Sequence, residues 1–446
     1  MHWIVENIEN KGEQVAVIFL EQEYTFKQLA TLIKKYYVKV KNLIPEGATA
    51  CIMSDYCFES IALFFALVEN KNIIVPITTK TKSEIEEKIK VVGCNYIISF
   101  ENNELNFIRN NDLYEIHSLI LNLKNSNSSG LILFSSGSTG RPKAMIHNLD
   151  NLIDSYRYKK GRNLVFLIFL MFDHIGGLNT LLNCLSMGVT MVFPNNRDPE
   201  HVCSLIEKHK VNILPASPTF LNLIVISDSS HKYNLTSLRM ITYGTEPMPE
   251  SLLLKLKDTF PGVKFLQTFG TSETGISQIS SKSSTSTFMK IDDPNTEYKI
   301  VEGELWIKSK TQILGYLTSS MERLTVDGWF KTGDLVEESA DGYIKIIGRN
   351  TEIINVGGEK VFPSEVETVL YQMPGIIDCT VFGEFNPITG QMVVAKILHS
   401  ESIKVSEIKK RVIEFCTGKL DRYKIPAKIV LINDLDYSER FKKKRI

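Results

Sequence analysis

Leu131-Ile132-Leu133-Phe134-Ser135-Ser136-Gly137-Ser138-Thr139-Gly140-Arg141-Pro142-Lys143 is the stretch that decides how the chain is read. Four apolar residues form a buried strand, and a Ser/Thr/Gly loop follows at once. Such a loop presents backbone N–H groups and hydroxyls that can wrap phosphate oxygens. Gly137 and Gly140 let the backbone approach closely, and Lys143 supplies a cation. No Gly-Lys-Ser/Thr follows, and Pro142 blocks a helix beginning at the lysine, so this is not a Walker A loop. Taken alone, a Gly/Ser loop also reads as a solvent turn.

Working outward, short β-branched runs alternate with helical patterns. Strands are predicted over 48–53, 73–75, 96–99, 131–134, 165–170, 189–193, 213–215, 240–243 and 263–267, and helices over 26–40, 58–69, 199–208 and 249–259. Several strands are apolar on both faces, which suits parallel strands covered by helices on each side. The expected fold class is α/β: a large N-terminal domain of mostly parallel sheets flanked by helices. After Gly348 the texture changes, with Gly357-Gly358, a helix opening at Pro363-Ser364-Glu365, further strands and a helix over 405–416. These make a small α+β C-terminal domain, so the domains are set at 1–348 and 349–446. The polar patches 125–130 and 281–286 read as loops, and no repeat of 20–50 residues is present.

Composition bounds the function. The 446 residues carry 51 Lys plus Arg against 51 Asp plus Glu, so overall charge suggests neither nucleic acid nor an acidic membrane as partner. The local exception is the basic end Arg440-Phe441-Lys442-Lys443-Lys444-Arg445. Seven scattered cysteines without a C-x-x-C pair argue against a disulfide scaffold or zinc site and suit a reducing cytosol. The N-terminus lacks a signal-peptide pattern, and the apolar run 164–172 is half of what a membrane span needs. A cytoplasmic enzyme without a transmembrane segment is expected.

The string Ser-Ser-Gly-Ser-Thr-Gly-x-Pro-Lys at 135–143 resembles the signature of the AMP-forming adenylating superfamily. That superfamily holds acyl-CoA synthetases, adenylation domains of peptide synthetases and luciferases. The glycine usual after the lysine is Ala144 here. Further stretches resemble the family's motifs in the expected order. Tyr24-Thr25-Phe26 resembles a mainly structural N-terminal motif. Tyr243-Gly244-Thr245-Glu246-Pro247 resembles the segment that cups adenine. Thr268-Phe269-Gly270-Thr271-Ser272-Glu273 is similar to its aromatic-Gly-x-Thr-Glu motif, with Phe269 for Tyr and Ser272 for Thr. Phe269 offers a purine-stacking face, Ser272 a hydroxyl for the α-phosphate, and Glu273 a hard oxygen ligand for Mg²⁺. A serine-hydrolase elbow is excluded, because Gly270-Thr271-Ser272-Glu273-Thr274 lacks the second glycine of G-x-S-x-G.

Gly328-Trp329-Phe330-Lys331-Thr332-Gly333-Asp334 matches the family's Gly-Trp-Phe-x-Thr-Gly-Asp string. The resemblance implies that Asp334 accepts from both ribose hydroxyls and that Arg349 reaches the ribose or α-phosphate. It also implies a hinge at Thr351, where Asp or Lys is usual, and a following loop whose Gly357, Gly358 and Lys360 line the thiol's tunnel. Aligning on Ser438 and Arg445 puts Lys442 at the family's single C-terminal catalytic lysine, with Lys443 and Lys444 as neighbouring alternatives. The acid is implied near Met171-Phe172-Asp173-His174-Ile175-Gly176-Gly177. His-x-Gly-Gly looks like acyl- and aryl-CoA ligases, whereas a one-residue shift puts Asp173 where amino-acid enzymes keep an ammonium partner. His174 is either a gate or a core histidine.

The implied activity is ATP- and Mg²⁺-dependent formation of an acyl-adenylate, then acyl transfer to a thiol, most simply coenzyme A. The alternatives are loading of a carrier-protein phosphopantetheine, or a catalytically dead nucleotide binder. The partner is thus a small carboxylic acid and, in one alternative, an acyl carrier protein.

Overall fold

Gly130–Ser136 and Ile73–Pro76 pair in parallel, and Thr49–Ile52 and Tyr96–Glu101 extend the same sheet. Every residue of Thr49–Ile52 and Ile73–Pro76 is buried, which explains their unbroken apolar reading. This seven-stranded sheet of the computed structural model closes with antiparallel edges: Glu104–Arg109 on one side, Pro142–Asn148 and Gly315–Tyr316 on the other. The structure describes residues 1–101, 104–112, 115–136, 142–434, 437–438 and 440–444.

A second seven-stranded sheet runs Lys264–Gln267, Met240–Tyr243, Ile213–Ala216, Val165–Leu167, Thr190–Phe193, Val15–Phe19 and Gln22–Thr25. Only its last pair is antiparallel. Helices Phe58–Glu69 and Ile175–Met187 are apolar nearly all round because the main core packs around them, with residues from both sheets. Gly177 is needed there: a Cβ would meet the Met171 carbonyl oxygen at 2.1 Å. The helix Ile175–Met187 can therefore start hard against the connecting segment that precedes it.

The α/β organisation expected from the sequence is the one the chain adopts. It also contains an element the sequence reading did not anticipate, a six-stranded antiparallel sheet built from residues 279–349. Its strands are short or half-exposed, and Thr296–Val301 alternates polar and apolar residues instead of forming an apolar run. That sheet ends with Ile344–Arg349. A separate core then forms around Ile354, Val366, Val381, Ala395, Ile408 and Ile429, within a five-stranded sheet and two helices. Among the described residues, no helix is long and apolar enough to cross a membrane.

Candidate active site

The hairpin on either side of residues 137–141 fixes the first wall. Gly130–Ser136 and Pro142–Asn148 are antiparallel with Ser135 opposite Lys143, and both residues line a cavity of about 360 Å³. Gly137, Ser138, Thr139 and Gly140 lie outside the described residues, as does the side chain of Ser136.

The second wall is a tight turn between Phe269–Thr271 and Gly275–Ser277, paired Thr271 to Gly275. The Thr271 hydroxyl accepts from the amides of Glu273 (3.2 Å) and Thr274 (3.1 Å), which holds Ser272 and Glu273 at the tip, and both line the cavity. The Tyr316 hydroxyl donates to Glu273 Oε1 at 2.9 Å and orients the carboxylate. Burial and that carboxylate push the Tyr316 phenol up, so it stays a neutral donor. Gly270 and Thr268 also line the cavity. Phe269 lines it too, but its ring is only 5% exposed and packs with Met289, Leu305 and Val336. The expected stacking face is thus largely committed to core.

The third wall is formed by Arg349, with Asp334 behind it; Asp334 itself is not among the residues that line the cavity. Asp334 and Arg349 are opposed on neighbouring antiparallel strands, with Arg349 Nε donating to Asp334 Oδ1 at 3.0 Å. Asp334 is 4% exposed; burial pushes its carboxyl up and the Arg349 guanidinium opposes the shift. Arg349 and Thr351 line the cavity, and Thr351 sits in the short 3-10 turn Asn350–Glu352.

Gly244 and Thr245 line the cavity, whereas Glu246 and Pro247 do not. A Cβ on Gly244 would lie 2.4 Å from Thr268 Oγ1, so only glycine lets these two strand ends meet. Thr245 adopts a left-handed φ of 73°, rare for a β-branched residue, and its buried Oγ1 has no hydrogen-bond partner among the described residues. The expectation that Glu246 helps to cup a base is corrected. Its carboxylate accepts from the Thr219 amide (2.8 Å), in the first turn of helix Pro218–Ile226, and from the Lys443 amide (3.2 Å). Unsatisfied helix N-terminal amides and the helix dipole make that the better place for an anion.

The C-terminal tail closes the site. Lys442 lines the cavity, and burial, then the Arg349 charge, pull its ammonium down to about 8. Lys443 turns away, donating to Tyr371 Oη (2.7 Å) and the Cys379 carbonyl and pairing with Asp378 at 3.2 Å. Lys444 is exposed. His174 caps helix Ile175–Met187: its Nδ1 accepts from the Gly176 amide at 3.0 Å, so the ring proton sits on Nε2. Burial first, then Lys442 and Arg440, hold the imidazole well below its usual pKa, leaving a neutral donor on the cavity wall. Asp173 is not open to a substrate ammonium in this arrangement: it is 6% exposed, does not line the cavity, and its Oδ2 accepts from Arg440 Nη2 at 3.0 Å. Gly357, Gly358 and Lys360 are exposed on the Ile354–Val356/Glu359–Val361 hairpin and line no part of the cavity.

Residues 4–317 match the family described as AMP-binding enzyme, and residues 365–442 match the AMP-binding enzyme C-terminal domain. The chain belongs to the AMP-binding enzymes. A 4-coumarate–CoA ligase-like protein of Arabidopsis thaliana is 25% identical over 468 residues, which span 92% of this chain and 81% of that protein. The 2-succinylbenzoate–CoA ligase of Enterococcus faecalis is 24% identical across 96% of this chain and 94% of its own. Among solved structures, an anthranilate CoA ligase in complex with anthranoyl-AMP superposes with a TM-score of 0.82 at 20% identity, covering 99% of this chain and 95% of its own. The o-succinylbenzoate CoA synthetase of Bacillus subtilis, in complex with its acyl-adenylate, gives 0.80 at 21% identity, covering 100% and 97%. Both likenesses are of fold.

The cavity of this AMP-binding enzyme also includes residues the sequence did not single out. Tyr316 is one of sixteen tyrosines and lies on a two-residue strand, so no local pattern marks it. Asn179 and Thr180 follow Ile175 and Gly176 on one helix face (i, i+3 and i+4), a signal the motif search passed over. Among the described residues, the lining holds five cations (Lys143, Arg323, Arg349, Arg440, Lys442) and one carboxylate, Glu273. Asp334 and Asp173 partner Arg349 and Arg440, and among the described residues Lys143, Arg323 and Lys442 have no carboxylate ion pair.

Proposed function

We propose that this AMP-binding enzyme condenses a carboxylic acid with ATP, releasing pyrophosphate, and passes the acyl group from the adenylate to a thiol, coenzyme A in the first instance. The observation that carries this reading is one cavity lined by Ser135 and Lys143, by Ser272 and Glu273, by Arg349 and by Lys442. These come from four separated segments, and among the described residues they offer an excess of positive charge with a single carboxylate.

Each group has chemistry to contribute. A carboxylate is a poor electrophile; bonding its oxygen to the α-phosphorus of ATP expels pyrophosphate and leaves AMP as the later leaving group. The work is alignment and neutralisation of converging negative charge, with no protein nucleophile. Lys442 would bridge the carboxylate and α-phosphate oxygens, Lys143 would hold the outer phosphates, and Asp334 with Arg349 would hold the ribose. Glu273, oriented by Tyr316, fits a magnesium ion, which favours one or two carboxylates plus phosphate and water oxygens. Bound there, the ion would neutralise phosphate charge. The acid's tail would lie along the helix face Ile175, Gly176, Asn179 and Thr180, which lines the cavity.

Relatives named as CoA ligases support coenzyme A as acceptor, and the Asp173–Arg440 pair supports an acyl or aryl acid over an amino acid. The scattered cysteines support the cytosol as the compartment. The test is acid-dependent ATP–pyrophosphate exchange across fatty, aryl and amino acids, followed by coenzyme A against a carrier protein as acceptor. Exchange with an acyl or aryl acid and thioester formation on coenzyme A are expected. Exchange with amino acids alone would shift the reading to carrier loading, and no exchange with any acid would end it.

A further inference from the structure

Beside the large cavity lies a much smaller one of about 10 Å³, about the room one water needs. One wall belongs to the large domain: Phe169, Leu170, Met171, His174, Arg197 and Thr245. The opposite wall is entirely tail: Arg440, Phe441 and Lys442. Leu170, His174, Thr245, Arg440 and Lys442 border both cavities, so the small one abuts the large one at Lys442.

Phe441 is the aromatic residue of that tail wall. Its ring lies 5.2 Å from Phe169, 5.3 Å from Phe220 and 5.4 Å from Tyr437, measured between centroids. Its carbonyl accepts from the Ser217 hydroxyl at 2.6 Å. Its backbone is left-handed, with φ of 51°, which a bulky side chain adopts only where surrounding contacts hold it. One residue earlier, Arg440 pairs with Asp173, whose carboxylate is 6% exposed and whose other oxygen has no partner among the described residues. One residue after Lys442, Lys443 ties the tail to Asp378 of the small domain. Lys442 is thus suspended between a clamp on each domain.

We propose that Arg440 and Phe441 are positioning residues: the Arg440–Asp173 pair latches Lys442 into the site, and Phe441 plugs the passage by which water and the thiol reach the adenylate. The proposal rests on the adenylate-forming reading above. With the tail seated, the acyl carbonyl is closed off on this side. When the tail leaves, the small cavity loses its whole outer wall, the Phe441 backbone strain is released and a channel opens beside His174. A loosened plug lets water in: its oxygen bonds to the acyl carbon, the bond to the AMP phosphate oxygen breaks, AMP leaves with the electron pair, and a proton is lost to solvent.

Two measurements on the full chain test this with Arg440→Gln and Phe441→Ala. Seating is read without any acid, as the rate of trypsin cleavage among residues 440–444 followed by mass spectrometry. Both variants are expected to be cut several-fold faster there (even a modest loss of contact energy multiplies the open fraction) while cleavage elsewhere is unchanged. Leakage is read as AMP released without thiol, relative to pyrophosphate exchange, using whichever acid the wild-type chain exchanges. Phe441→Ala is expected to raise that ratio several-fold and Phe441→Leu to restore it, which a merely structural defect would not do. Unchanged cleavage in both variants would overturn the latch. Faster cleavage with an unchanged leakage ratio would overturn the plug. If the wild type exchanges no acid, the adenylate-forming reading itself falls, while the cleavage rates still decide the latch.

Discussion

Lys442, Lys443 and Lys444 are chemically identical in sequence, and alignment alone chooses among them. Their surroundings differ sharply. Lys443 is anchored by Asp378 and Tyr371, Lys444 is exposed, and Lys442 lines the cavity with its ammonium pulled down to about 8 by burial and by Arg349. The sign of the consequence is fixed: Lys442 is charged below about 8 and neutral above it, and only the charged form neutralises phosphate. The kcat/KM for ATP in pyrophosphate exchange, which reports the free enzyme, is therefore expected to fall as pH rises through about 8. Lys442→Arg, which stays protonated, should lose that fall even where its absolute rate is lower. A flat profile in the lysine enzyme would contradict the assignment. Tyr316 gives a second test at this scale. Removing one hydrogen bond of about 1 kcal/mol should raise the KM for Mg·ATP by roughly 5-fold in Tyr316→Phe, with little change in thermal stability. The site's charged motif residues were legible in the sequence because their chemistry is rare and ordered. Tyr316 was not, because its role depends on which loop it meets.

Elements with one clear pattern read well. The strand Met240–Tyr243 and the helices Phe58–Glu69 and Val405–Cys416 have the bounds their sequence patterns predict. The antiparallel strands after residue 267 do not announce themselves, because one face meets polar surroundings and several are three residues long. Tyr24-Thr25-Phe26, expected to be mainly structural, sits at a capping box: Thr25 Oγ1 accepts from the Gln28 amide (3.2 Å) and Gln28 Oε1 from the Thr25 amide (2.7 Å). Thr25→Ala is expected to destabilise the fold by about 1 kcal/mol in chemical denaturation and to leave exchange activity per folded molecule unchanged. A loss of specific activity without a loss of stability would give Thr25 a role in the site.

Across the whole molecule, Lys143, Glu273, Arg349 and Lys442 stand more than seventy residues apart in sequence and border one cavity. A mixed sheet, a mostly parallel sheet, an antiparallel sheet and a small α+β unit bring them there, with Thr351 at the cavity edge between the last two. Gly357 and Gly358 lie outside while Lys442 lies inside, the arrangement that the proposed first half-reaction calls for. What remained illegible was the tail's path, since a run of cations reads as solvated until Asp173, Glu246 and Asp378 are seen to receive it. The decisive measurement is to follow the two half-reactions separately in Lys442→Ala, using the acid that supports exchange in the wild type. Pyrophosphate exchange should drop by about 100-fold or more, the scale of losing a transition-state charge partner, while thiol transfer from a supplied adenylate persists near the wild-type rate. Equal loss of both steps, or exchange that continues unchanged, would contradict the account.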